Sequence, residues 1–89
     1  MALFIIYCID GELDNIKKIS LKNCDLECGF RWACRNGHCD IIQYLVNLYK
    51  TDNTYKPINI NNNGFRWACD KGHYNIVRYL CELYQNDNM

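Results

Sequence analysis

From residue 64 onward the apolar positions fall at helical spacing and then break on a glycine. Phe65, Ala68 and Cys69 lie at i, i+3 and i+4, one face of a short helix. Gly72 follows, and a glycine there supplies the left-handed backbone that ends a helix. Ile76, Val77, Leu80, Cys81 and Tyr84 then form the stripe of a second helix. One repeat earlier Phe30, Ala33, Cys34, Gly37, Ile41, Ile42 and Leu45 trace the same outline. The pattern predicts two helix–turn–helix units, with positive φ at Gly37 and Gly72. A third, weaker copy opens the chain. Setting Cys8 on Cys34 and Gly11 on Gly37 puts Phe4 on Phe30, Ile16 on Ile42 and Ile19 on Leu45, with Glu12 where the later copies have histidine.

The two later copies agree in letter as well as in pattern. "GFRWACRNGHCDIIQYL" starts at Gly29 and "GFRWACDKGHYNIVRYL" at Gly64. A repeat of this length, with two apolar segments around a glycine, is the mark of stacked helical pairs. No single unit buries its own apolar face, so each covers the next. Ala33 and Ala68 are then expected to be buried where first helices approach closely.

These residues resemble the ankyrin repeat, whose signature runs Thr-Pro-Leu-His-x-Ala, then Ala-x-x-Gly-His, then a helix rich in Val and Leu. Phe30 and Phe65 take the Leu position, Ala33/Cys34 and Ala68/Cys69 the Ala pair, and Gly37-His38 and Gly72-His73 the Gly-His. "IDGELDNIKKI" is similar to a typical opening repeat. The resemblance implies an all-α solenoid of about two and a half to three units, with repeats near 1–27, 28–62 and 63–89. Thr-Pro is replaced by Cys28-Gly29 and Asn63-Gly64, and its His by Arg31 and Arg66. The connector between the first two copies is too short for a full protruding hairpin, and the later one is slightly long.

Composition narrows the function classes. Lys+Arg and Asp+Glu cancel at ten each, so no net field recruits nucleic acid or an anionic membrane. An apolar fraction near half argues against disorder. Seven cysteines in no paired pattern argue against a secreted disulfide framework. The start "ALFIIYCI" has no basic leader and runs into acidic "DGELD", unlike a signal peptide. The expectation is an intracellular, cytoplasmic chain. Its lean to Asn, Ile, Tyr and Lys suits an AT-rich genome, as in large DNA viruses, where the host cytoplasm would be its setting.

Several residues invite a chemical reading. Cys24, Cys28, Cys34 and His38 have the ligand types of a zinc site, and Cys24 with Cys28 would suit a redox-active or zinc-dependent regulator. The second copy keeps Cys69 and His73 but has Asn59 and Asn63 where the other two ligands would lie. Repeat structure therefore explains Cys34 as core and His38 as a turn residue bonding backbone groups. Arg31 and Arg66 are expected to link adjacent repeats, and Trp32 and Trp67 to pack at the edge of the core face. Tyr44, Tyr49, Tyr79 and Tyr84 fit half-buried outer packing. No nucleophile with a base and no paired carboxylates can be argued, so neither catalysis nor a cofactor is expected.

The resemblance implies a non-enzymatic protein–protein interaction module. The copies differ just before each glycine, Arg35-Asn36 against Asp70-Lys71. Those four residues, Trp67, and Asn61-Asn62 near the connector tip are the candidate partner contacts. The alternative is a structural or assembly protein. The last helix is patterned like an internal one, so Ile76, Val77, Leu80 and Tyr84 are expected to be partly uncovered and to drive self-association. The partner is then an unidentified protein or a second copy, with neither nucleic acid nor membrane involved.

Overall fold

The computed structural model describes residues 2–60 and 63–87. Six helices follow one another: α1 (Ala2–Asp10), α2 (Leu13–Lys17), α3 (Leu26–Asn36), α4 (Cys39–Thr51), α5 (Asn63–Lys71) and α6 (Tyr74–Asp87). No strand occurs among the described residues. The pairs α1/α2, α3/α4 and α5/α6 are three stacked hairpins, and the first helices α1, α3 and α5 form the inner row, with α3 packed on both others. All three hairpins turn on a left-handed glycine, Gly11 at φ 79°, Gly37 at 80° and Gly72 at 76°.

Local chemistry explains where the helices begin and end. Asp25 caps α3, its carboxylate accepting from the Cys28 amide at 3.1 Å. At the other end Gly37 closes the helix in the left-handed region and the His38 amide donates back to the Ala33 carbonyl. His38 stands at the N-cap of α4 but makes no side-chain cap there. Asp40 accepts the Ile41 amide at 2.8 Å instead, leaving the imidazole for a longer-range role. α3 begins at Leu26, ahead of the shared "GFRWAC" run, because the Asp25 cap lies upstream of it.

The core is one continuous cluster. Phe4, Cys8, Ile16, Phe30, Ala33, Cys34, Ile41, Ile42, Leu45 and Ala68 are fully buried, and Val46, Ile76 and Leu80 nearly so. Ala33 and Ala68 take the close-contact places the pattern assigned them. Ala68→Leu is expected to destabilise the fold by roughly 1–3 kcal/mol through overpacking. A denaturant midpoint unchanged by that substitution would remove α5 from the core.

Leu21, Leu26, Ile58 and Ile60 are also buried. These sit in connectors or at a helix start, where helical periodicity has nothing to report. The 52–60 connector is held by turn chemistry. Asp52 accepts from the Thr54 amide and hydroxyl at 3.0 and 2.7 Å, and these bonds hold its carboxyl below the usual range. Farther on, the Asn59 amide donates to Glu27 at 3.2 Å, fastening the connector to α3.

Candidate interaction surface

The two histidines build the seams between hairpins. His38 Nε2 lies 2.8 Å from the Ile9 carbonyl, and His73 Nε2 lies 2.9 Å from the Arg35 carbonyl. A carbonyl only accepts, so Nε2 carries the proton in both. Each ring lies against the preceding turn: a Cβ on Gly11 would come within 2.6 Å of the His38 ring, and one on Gly37 within 2.8 Å of the His73 ring. Both histidines are thus consumed by architecture. Cys34 is buried in the core, and Cys24 and Cys28 are half-buried thiols. Among the described residues no group of three or more His, Cys, Asp or Glu is placed to hold a metal ion.

Arg35, not Arg31 or Arg66, joins the second and third hairpins through its side chain. Its guanidinium lies 5.4 Å from the Trp32 ring centre and 4.6 Å from that of Trp67, a cation sandwiched between two indoles. Arg66 is exposed and Arg31 half-buried, and neither bonds or ion-pairs with a described residue. The expected linking role therefore moves one helical turn along α3.

Of the candidate contacts, Asn36, Asp70 and Lys71 are exposed on the edge where α3 and α5 end, and Trp67 keeps 37% of its surface beside them. Asn36 donates to the Trp32 carbonyl at 3.0 Å, which holds its side chain against α3. Arg35 is half-buried and already engaged by the tryptophans. Asn61 and Asn62 lie outside the described residues.

The apolar stripe of α6 departs from the expectation at two of its four residues, Ile76 and Leu80. Ile76 and Leu80 keep only 1% of their surface, buried where α6 packs on α5 and α4. Val77 is half-buried and Tyr84 is 46% exposed. A helical stripe wider than 100° has two edges, and one of them is needed inside the hairpin itself.

A cleft that the sequence pattern did not announce lies between the 18–25 loop and the 52–60 connector. It encloses about 670 Å³, and its lining includes Lys22, Asp25, Glu27, Arg31, Tyr55 and Lys56. Asp25 and Glu27 already accept backbone amides, whereas the Arg31 guanidinium has no described partner. Helical periodicity does not register residues that meet across two connectors.

Compared with protein families, residues 4–89 match the model of ankyrin repeats in three copies. The chain belongs to the ankyrin repeat family. Neither the curated proteins nor the solved structures compared with it gave a match. Ankyrin repeats generally mediate protein–protein interactions and are typically non-catalytic, and this ankyrin chain has three hairpins in which to do so. No described helix is long and apolar enough to cross a membrane.

Proposed function

We propose that this ankyrin chain is a non-enzymatic recognition module. It would bind a protein partner along the edge formed by Asn36, Trp67, Asp70 and Lys71. The observation that carries this reading is Trp67: a large aromatic held by Arg35 yet more than a third exposed, with charged groups of both signs around it. A tryptophan fixed in orientation and ringed by polar side chains is the composition of a binding hot spot. The repeats exchange Arg35-Asn36 for Asp70-Lys71 on an otherwise constant frame, which suits contacts that vary on a fixed scaffold. The setting proposed is the cytoplasm, the host's if the gene is viral.

The test is a paired reversal, Asp70→Lys with Lys71→Glu. Both residues are exposed, so stability should stay within about 0.5 kcal/mol of the parent. Proteins captured from the native cell by the parent should be lost to the variant. Identical capture by both would sink this surface.

A further inference from the structure

Arg31 and Arg66 hold the same place in the two later copies of the repeat, yet the fold treats them differently. Arg66 is exposed, whereas Arg31 is half-buried in the wall of the cleft between the 18–25 loop and the 52–60 connector. Lys22 and Lys56 line the same cleft, one carried to Arg31 by each connector. The walls are fixed in advance. Leu26 and Ile58 are buried, and the Asn59 amide ties the later connector to Glu27 on α3. Asp52 folds the start of that connector through its two bonds from Thr54. A site held in this way has little ordering left to do when a ligand enters.

The charges of the cleft are not equally spent. The Asp25 carboxylate accepts the Cys28 amide, and that of Glu27 accepts the Asn59 amide. The Thr54 bonds and, after them, Lys22 hold the Asp52 carboxyl down, so the Lys22 charge is shared. Arg31 and Lys56 form no bond or ion pair with a described residue. A guanidinium presents a planar fork of N–H donors, which a carboxylate fills with two parallel bonds.

We infer that this cleft binds a small organic carboxylate, with its anionic end on Arg31 and Lys56. Asp25 and Glu27 set the charge of the occupant. Beside two carboxylates a dianion, such as a phosphomonoester, is repelled more than a monoanion. Size and lining set its body. The volume of about 670 Å³ is room for a small organic molecule and far more than acetate needs. Tyr55 and Pro57 offer apolar surface beside the cations. None of Asn36, Trp67, Asp70 and Lys71 lines the cleft, so this inference and the recognition edge stand or fall separately.

The test is a titration of the isotope-labelled full chain with phenylacetate, followed by NMR. The Arg31 Nε–H signal, assigned by its loss in Arg31→Gln, should shift and saturate together with the amides of 22–31 and 54–58. Phenylacetamide, the neutral isostere, should shift none of them, and acetate should bind more weakly at the same residues. With affinity read from the amides, Arg31→Gln should weaken phenylacetate at least about tenfold, as loss of charge-assisted bonds requires, and Arg31→Lys should restore only part. Lys56→Gln should give a smaller loss that added salt removes, since that cation is exposed. Arg66→Gln should change nothing. No saturable shift with phenylacetate would overturn the inference, as would equal losses in Arg31→Gln and Arg66→Gln or acetate bound as tightly as phenylacetate. Tighter binding of phenyl phosphate, or of a blocked peptide with one glutamate, would overturn it by making the occupant a dianion or a protein segment. Were Arg31→Gln to unfold, an undiminished affinity in Lys56→Gln at low salt would overturn the inference by itself.

Discussion

Gly29→Val is expected to remove most of the stability of this chain, more than ~3 kcal/mol, and Gly29→Ala a smaller part of it. Propensity alone forecasts the opposite for alanine, since a helical Gly→Ala exchange is worth about +1 kcal/mol at an open site. Gly29 is not at an open site. The first carbon of any side chain would lie 2.4 Å from Phe4 Cε2, 2.5 Å from Cζ and 2.8 Å from Cys8 Sγ. Both neighbours are fully buried, so neither has solvent to retreat into. The hairpins must separate, and separation uncovers the seam between α1 and α3. A domain of this size has roughly 5 kcal/mol to lose. Urea titration reads the effect, and Gly29→Ala combined with Phe4→Leu should recover part of it. An alanine variant more stable than the parent would refute the close approach.

The second large effect is an alkaline transition. Burial pushes the thiols of Cys8 and Cys34 up from the ordinary 9.0 to about 12, with Cys28 and Cys24 adding to the displacement of the first and Cys39 to that of the second. Between those values the unfolded chain gives up protons that the folded chain retains. The stabilisation is complete below pH 9 and is lost as pH rises toward 12. A tenfold change in an ionisation constant is about 1.4 kcal/mol, so two such thiols account for several kcal/mol, comparable with the whole stability of a small domain. Circular dichroism across this range should show unfolding of the parent at a lower pH than the Cys8→Ala, Cys34→Ala double variant, judged against each protein's stability at pH 7. If the two unfold at the same pH, the buried thiols are not its cause.

Much of the architecture was legible because it repeats. The Phe30/Ala33/Cys34 and Phe65/Ala68/Cys69 triplets, the Gly37 and Gly72 turns and the ankyrin likeness all rest on a comparison the chain makes with itself. The end of the array was legible only in outline. An uncovered terminal face could be foreseen, but a stripe read from spacing does not say which edge closes the hairpin. Ile76 and Leu80 do that, leaving Phe65, Cys69, Val77 and Cys81 at the open side. Contacts between residues distant in sequence were out of reach altogether. Arg35 between Trp32 and Trp67, Asn59 on Glu27 and the buried Ile58 and Ile60 depend on where two connectors fall in space.

The histidine seam has a kinetic side. His38 and His73 recognise backbone carbonyls, of Ile9 and Arg35, and a carbonyl carries no residue identity. During refolding, the third hairpin can therefore seat its imidazole on the first hairpin as well as on the second, and the likeness of the two later units gives it a matching glycine and phenylalanine. What sets the mis-stacked chain apart is connector strain, the displacement of the middle hairpin from its place between the other two, and the loss of the Asn59–Glu27 bond and the Arg35–Trp67 contact. Repeat arrays are prone to such misassembly. An internal duplication of this extent thus makes the fold simple to encode and harder to fold in register.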